Sequence, residues 1–260
     1  MKRFFGTILL VSSLILASNK PVSQNAGTTS DYLIQATLWY QSSPEMKALY
    51  IQGFNMAKSN LSNFVKDRKE KPQAVVVDID ETMLDNSPFE GRLIHTGKSF
   101  RPEIWKEWTD LAKAKALPGA VEFTKYAKSQ GVSIIYISNR DTTEIEKTLQ
   151  NLNNEGFEFA QKENLYFKTK ESSKDARRKL VAEKYDIVML IGDNLSDFNT
   201  LFDKRDGSEF DLVDKFKSQF GYRYIILPNP TYGDWEKPIT KGTKTDEERY
   251  NARKSKVVGF

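Results

Sequence analysis

Residues 74–82 read Ala-Val-Val-Val-Asp-Ile-Asp-Glu-Thr, and the architecture of the whole chain follows from how this stretch is understood. Four apolar residues, three of them β-branched, form a run that is too short for a helix and continuous rather than alternating. That is the pattern of a strand covered on both faces. Three further runs of the same kind follow, at Val132 to Ile137, Ile187 to Ile191 and Tyr224 to Leu227. Between and after them lie charged, helix-like stretches, Ala120 to Ser129, Thr142 to Glu155, Ser173 to Lys184 and Glu209 to Phe220. Strand alternating with helix predicts an α/β fold built on a doubly wound, mainly parallel, Rossmann-like sheet.

Working outward, residues 84–118 fit neither pattern. With Phe89, Phe100, Trp105 and Trp108 they read as a small cap inserted after the first core strand. Upstream, Asp31 to Val65 carries apolar residues such as Leu33, Ala36, Trp39 and Tyr40 at helical spacing, which predicts two N-terminal helices broken near Ser42-Ser43-Pro44. Residues 31–260 are therefore expected to form a single domain with one insertion. Before them, Lys2 and Arg3 precede an apolar stretch from Phe4 to Ala17, too short for a comfortable membrane span and suited to a secretory signal peptide over residues 1–18. A buried helix or a true anchor is the other reading. The polar residues 19–30 that follow look like an exported linker, so an exported protein is expected.

The composition, 39% hydrophobic and 28% charged with 14 Gly and 9 Pro in 260 residues, excludes disordered and collagen-like chains. Taking Lys2 and Arg3 from the 39 basic residues leaves 37 against 35 acidic ones, too even a balance for nucleic-acid polymers to be the main partner. The absence of cysteine excludes disulfides, zinc–thiolate sites and thiol nucleophiles. The single histidine, His95, falls in the cap and is expected to be exposed, which argues against phosphohistidine chemistry and His-rich zinc sites.

In a parallel α/β sheet, ligands bind beyond the carboxyl ends of the strands, so the residues just after each run carry the chemistry. The first run ends on Asp78 and Asp80, with Glu81 and Thr82 next. Unpaired carboxylates at a strand end are costly unless solvated or metal-bound, although an acidic turn capping a helix would also place them there. The second run presents Ser138, Asn139 and Arg140, which taken alone is equally ordinary helix-capping material. The third ends Gly192-Asp193-Asn194, with Asp197 shortly after; Gly192 lets the backbone approach closely while Asp193 projects another carboxylate into the same mouth.

VVVDIDETMLDNSP together with IGDNLSDF resembles the haloacid dehalogenase-like hydrolase superfamily. Within it, the two motifs resemble most closely the class C acid phosphatases, the lipoprotein e(P4)-like group, whose paired acidic motifs have the form DxDET and GDNxxDF. The similarity runs from about Ala36 to Trp235. It implies a phosphomonoesterase that uses Mg²⁺ and a small-molecule phosphate ester, with Asp78 as nucleophile and Asp80 as general acid and then base. It assigns the metal to Asp78, Asp193 and the backbone carbonyl of Asp80, with Asp197 as a further or outer ligand. Ser138, Asn139 and a lysine would bind the phosphate; FKTKESSKDARR offers Lys168, Lys170 and Lys174, and the family spacing favours Lys174. Trp105 and Tyr232 are the aromatics expected to sandwich a nucleobase or aryl leaving group, although core packing is the commoner use of any one such residue.

The family is usually lipidated at a cysteine that follows a segment like Leu16-Ala17-Ser18, but position 19 here is Asn, which cannot carry the lipid, so membrane attachment is expected only where position 19 is natively Cys. The family resemblance also implies that homodimers are common, with the N-terminal helices around Trp39 and Tyr40 as the expected contact. The sequence therefore predicts an exported Mg²⁺-dependent acid phosphatase or 5′-nucleotidase. The alternatives are a non-catalytic nucleotide-capture protein on the same fold and an enzyme that is chiefly a phosphotransferase.

Overall fold

The structure is a computed structural model of the chain and describes residues 30–67 and 70–260. The signal peptide expected over 1–18, and Asn19, lie outside the described residues, as does the linker apart from Ser30. A short 3-10 turn leads into α1 (Ile34–Ser42), and α2 (Pro44–Phe64) follows directly. The break falls where it was expected. Ser43 has extended backbone and its hydroxyl accepts the Met46 amide hydrogen, while Pro44, which has no amide hydrogen to lose, occupies the first helical position. Along α2 the buried residues Met46, Tyr50, Phe54, Ala57 and Leu61 recur every three or four positions, so one face packs on the sheet.

The first strand is β1 (Gln73–Val77). The cap comes next, as β2 (Leu84–Asp85), α3 (Ser87–Thr96), α4 (Pro102–Thr109) and β3 (Lys115–Ala116). β2 and β3 pair antiparallel, with Leu84 opposite Ala116, and this pair closes the base of the insertion. The chain continues through α5 (Ala120–Ser129), β4 (Ser133–Asp141), α6 (Ile145–Glu155), β5 (Leu165–Lys168), α7 (Asp175–Lys184), β6 (Asp186–Gly192), α8 (Glu209–Lys215) and β7 (Tyr224–Ile226). It finishes with the short α9 (Lys237–Thr240) and α10 (Asp246–Lys256). No helix among the described residues is long and apolar enough to cross a membrane.

The five-stranded sheet has the order β5-β4-β1-β6-β7, and every neighbouring pair is parallel. Alternate residues of the central strand serve opposite faces. Val75 and Val77 join the larger core with α2 and α5, through Phe54, Leu61 and Phe123, whereas Ala74 and Val76 join Ile135, Ile137 and Val181 on the α7 side. Both faces being covered is why this strand reads as a continuous apolar run.

Three elements differ from expectation. β5 was not foreseen: it is an edge strand of four residues, Leu-Tyr-Phe-Lys, in which only Leu165 and Phe167 are buried, so it lacks the continuous apolar signature. The helix expected to reach Phe220 stops at Lys215. The C-terminal α10 has no buried residue, so it shows no apolar stripe; its one sequence signal is the capping box in which Thr245 and Glu248 satisfy each other's backbone amides. Of the two residues around which a dimer contact was expected, Trp39 and Tyr40, Tyr40 is the more buried. That side chain is buried within the chain, edge-on to Tyr50 at 6.0 Å, with the two hydroxyls hydrogen-bonded, and Trp39 packs against the same core.

Gly53 tests the packing of α2 on the sheet. An added Cβ would gain about 1 kcal/mol of helix propensity but would lie 2.6 Å from Cδ2 of Leu227, a buried side chain that would have to shift. Overpacking of this kind costs roughly 1–3 kcal/mol, so Gly53→Ala should lower the denaturant midpoint. An unchanged or higher midpoint would show that the contact yields.

Candidate active site

The ends of β1, β4 and β6 converge because these strands are adjacent and parallel. Asp78 follows β1 directly, its amide bonded to the Ile191 carbonyl of β6 at 2.9 Å. The chain then turns sharply. The amides of Met83 and Leu84 both return to the Ile79 carbonyl at 2.9 Å, and Glu81 adopts a left-handed φ of 54° that a glutamate rarely takes. After β6, Asn194 and Asp197 cap each other's backbone in a 3-10 turn, which aims Asp193 and Asp197 back at Asp78. Oxygen atoms of Asp78, Asp193 and Asp197 lie within 4.8 Å of one another.

One ammonium group serves this cluster. Lys174, at the start of α7 and 5% exposed, is paired with Oδ1 of Asp78 and, at 2.7 Å, with Oδ1 of Asp197. Oδ2 of Asp78 has no hydrogen-bond partner among the described residues. Burial, opposed by Lys174 and reinforced by Asp197 and Asp80, pushes the Asp78 carboxyl up to about 7. Burial and the charges of Asp197 and Asp78 raise Asp193 as well. Burial by itself would lower Lys174, but Asp197 and Asp78 outweigh it and hold the ammonium protonated. Three carboxylates with one ammonium leave net negative charge, and the donors are all hard oxygens in a geometry open to the cavity. This set fits a divalent cation of the Mg²⁺ type.

Asp80 stands apart from the cluster. Its Oδ1 accepts from Nη2 of Arg140 at 2.7 Å, from Nε at 3.0 Å and from Nδ2 of Asn86 at 2.8 Å, whereas Oδ2 has only longer bonds, to Ser138 Oγ at 3.3 Å and Arg140 Nε at 3.2 Å. The Asp80 side chain is thus absent from the acidic cluster, which leaves its backbone carbonyl as the metal-side contact expected from the sequence. Arg140 itself is buried, and the Asp80 carboxylate overcomes the cost of that burial and raises its affinity for its proton.

Eight of the nine expected site residues line one cavity of about 1110 Å³: Asp78, Asp80, Trp105, Asn139, Lys174, Asp193, Asp197 and Tyr232. Ser138 does not. Its hydroxyl is fully buried, donates to Asp80 and accepts the Arg140 amide hydrogen, so it positions the carboxylate rather than facing the cavity. Of the three candidate lysines, Lys174 is the one paired with the acidic cluster; Lys168 lies farther along the cavity wall. Trp105 is half-buried against Phe89 at 5.1 Å, and the Arg140 guanidinium stands 5.5 Å from its ring centroid, which limits the face it can offer. Phe100, 60% exposed and on the same wall, is the freer aromatic. His95 is exposed on α3, as expected.

Several supporting residues were not singled out from the sequence. Arg177 donates to the Ser138 carbonyl and Asn139 Oδ1, both at 2.6 Å, and so ties the Lys174 loop to the end of β4. Arg178 donates to the carbonyls of Ser196 and Asp197 at 2.9 and 3.0 Å and fixes the third acidic loop. Asn229 donates to Asp193 at 2.8 Å. Glu81 accepts the Asn86 amide hydrogen at 2.8 Å and the Tyr232 hydroxyl, so one buried carboxyl joins the catalytic turn, the cap and the aromatic wall. The consecutive arginines on the helix after Lys174 were the one available signal.

The family model for the HAD superfamily, subfamily IIIB (acid phosphatase), matches residues 14–235. The chain belongs to this acid phosphatase family. Its fold is similar to that of the class C acid phosphatase from Bacillus anthracis, with a TM-score of 0.86 and 41% identity over 90% of this chain and 99% of that one. The tungstate-bound form of the same Bacillus enzyme gives 0.84 and 42%, over 89% and 98%. Among curated relatives, the stem 28 kDa glycoprotein of Glycine max is 29% identical over 142 residues, 52% of this chain and 56% of that protein. Acid phosphatase 1 of Solanum lycopersicum is 26% identical over 163 residues, 60% and 57%. The chain thus spans little more than half the length of these plant relatives, whereas it matches the Bacillus phosphatase almost end to end.

The close approach of the acidic loop after β6 depends on Gly192. A Cβ there would come within 2.6 Å of Cβ and Cγ of Asp197, whose position the capping box and Lys174 both fix. Gly192→Ala should therefore displace Asp197 and weaken divalent-metal binding by about 10- to 100-fold, the usual effect of disturbing groups that orient ligands. Calorimetric titration of the metal into wild type and variant measures this, and equal affinities would contradict it.

Proposed function

We propose that the protein is an exported, Mg²⁺-dependent acid phosphatase that hydrolyses nucleoside monophosphates and aryl phosphates through an aspartyl-phosphate. The observation that carries this reading is the division of labour between two carboxylates two residues apart. Asp78 sits in the acidic cluster with one free oxygen, and Asp80 is held outside it by Arg140.

Asp78 Oδ2 is the attacking atom, because Oδ1 is engaged by Lys174. It forms a bond to phosphorus as the bond to the leaving oxygen breaks. Asp80 carries the proton on Oδ2, the less engaged of its oxygens, and gives it to that leaving oxygen. In the second step Asp80 takes a proton from water as the water oxygen attacks phosphorus, and the bond to Asp78 Oδ2 breaks to restore the carboxylate. Lys174 and the exposed amide of Asn139 supply a cation and a donor to the phosphoryl oxygens. A divalent ion held by Asp78, Asp193 and Asp197 would neutralise the phosphate dianion that a carboxylate must approach.

The aromatic wall supports nucleotide and aryl esters. Phe100 and Tyr232 share the cavity with Trp105, and stacking a base on such a platform contributes about 1–3 kcal/mol per base. Tungstate, the oxyanion bound in the Bacillus structure, is expected to compete with these substrates. Export rests on residues 1–18, and N-terminal sequencing of protein recovered outside the cytoplasm tests it.

Asp78→Asn should abolish phosphate release from nucleoside monophosphates, and chelation should do the same to wild type, with recovery on adding Mg²⁺. Full turnover by Asp78→Asn in the same buffer would sink the reading. Asp80→Asn should lower kcat/KM, which reports only the first step and not the water attack shared by all substrates, by about 10²- to 10⁴-fold for alkyl esters and by much less for nitrophenyl phosphate, whose leaving group departs without a proton. Equal losses on both substrates would deny Asp80 the role of acid.

A further inference from the structure

Arg177 is a buried cation with no carboxylate of its own. It stands in the first turn of α7, is 8% exposed and forms no ion pair among the described residues. Its acceptors are all neutral: the carbonyls of Ser138, Ser172 and Ser173, at 2.6, 3.2 and 3.1 Å, and Oδ1 of Asn139 at 2.6 Å. The position is an expensive one for a positive charge. The first turn of a helix is the positive end of its dipole. Burial loosens the guanidinium's hold on its proton, Arg178 beside it adds to that, and the charges of Asp78 and Asp197 offset only part of the loss. Arg140 is buried too, but the Asp80 carboxylate balances it. Arg177 has only dipoles.

What those dipoles do depends on the chemistry of the partner. A guanidinium carries donors only, so the Asn139 amide must turn its oxygen towards Arg177, and its NH₂ group is left for another partner. Nδ2 of Asn139 has no hydrogen-bond partner among the described residues, and the side chain is exposed on the cavity wall. Arg177 does not line that cavity. Without the guanidinium an exposed amide would turn over freely, and for part of the time it would set its oxygen against a phosphate, where the contact is repulsive. The same guanidinium also holds the Ser138 carbonyl at the end of β4 and the two carbonyls just before Lys174. One side chain thus fixes both the orientation of the amide and its placement relative to the ammonium.

We infer that Arg177 is a positioning residue for phosphoryl transfer: it sets which end of the Asn139 amide meets the phosphoryl oxygens, and so turns a rotatable side chain into a fixed donor. This rests on the phosphatase reading, in which Asn139 binds the phosphate. A donor already aimed at its target needs no reorganisation as charge develops in the transition state, which is where such groups contribute most. Arg177 acts through the amide and not on the substrate. Its effect is therefore blind to the leaving group, because every ester presents the same phosphoryl oxygens.

A double-mutant cycle on the full chain, with Mg²⁺ saturating, tests this. Asn139→Ala should lower kcat/KM by about 10²- to 10³-fold, as the loss of one such donor does. Arg177→Met should lower it by about 10- to 100-fold, the effect of a misplaced group, and equally for an alkyl ester and nitrophenyl phosphate. Inhibition by inorganic phosphate should weaken in both variants. In the Asn139→Ala background, Arg177→Met should cost no more than about twofold further, since the donor it orients is already gone. A side chain that only supports the fold would multiply its whole loss onto that of Asn139→Ala. If Arg177→Met does not fold, Arg177→Lys keeps the charge but cannot span Ser138 and Asn139 together, and the same cycle run with it should show the same coupling. Unchanged kcat/KM in either single variant, losses that multiply, or a loss that differs between the two esters overturns the role. Turnover by wild type together with losses that multiply removes the positioning role and leaves the phosphatase. No phosphate release by wild type from any ester removes the phosphatase reading, and this role with it.

Discussion

The site is organised by a shortage of positive charge. Three carboxylates converge at the ends of two adjacent strands, and one buried lysine lies among them. Left alone such a cluster would fly apart or take up protons, and burial, reinforced by the neighbouring carboxylates, holds both Asp78 and Asp193 above the usual carboxylate range. Much of the surrounding structure resists it. Arg178 grips the carbonyls of the third acidic loop, the Asn194–Asp197 capping box fixes its turn, Asn229 holds Asp193, and Gly192 lets the loop come close enough to matter. The fold holds a charge deficit open at one end of its sheet, and both a divalent cation and the cationic groups that meet phosphate draw their affinity from it.

The parts legible in the sequence are those in which one residue type has one physical use. Continuous Val and Ile runs mark strands covered on both faces, and for β1 the two halves of the alternation do enter separate cores. Carboxylates directly after such runs mark the mouth, and all four acidic residues expected there line it. Lys174 was favoured over Lys168 and Lys170 only by the spacing to the arginines of α7 that the family resemblance implies. Legibility failed where a residue's role depends on a partner remote in sequence. Ser138 looks like a phosphate donor until the structure shows its hydroxyl turned to Asp80, and Trp105 looks like an open platform until Arg140 is placed over it. Arg140 and Glu81 stand in the strand-end segments singled out from the sequence, but their partners Asp80 and Tyr232 lie 60 and 151 residues away, so their roles were not legible. β5 and α10 were missed for a related reason. An edge strand and an exposed helix bury too little apolar surface to leave a period.

The same contacts bear on how the cap works. Asn86, at its base, donates to Asp80 and accepts from the indole of Trp108 at 2.8 Å, while Thr109 at the end of α4 donates to Glu144 at 2.7 Å in the core. Glu81 ties the first of these residues to Tyr232 on the opposite wall, and Tyr50 reaches from α2 to the Glu81 carbonyl at 2.5 Å. The cap is thus joined to the core at both ends of its helices, and to Asp80 through Asn86. In this arrangement the shape and polarity of the cavity are set by cap and core together. The left-handed turn at Glu81 sits where these contacts meet, and strain of this kind persists where the surroundings over-determine it. Relaxing it would loosen Tyr232 and Asn86 together, and with Asn86 one of the bonds that hold Asp80.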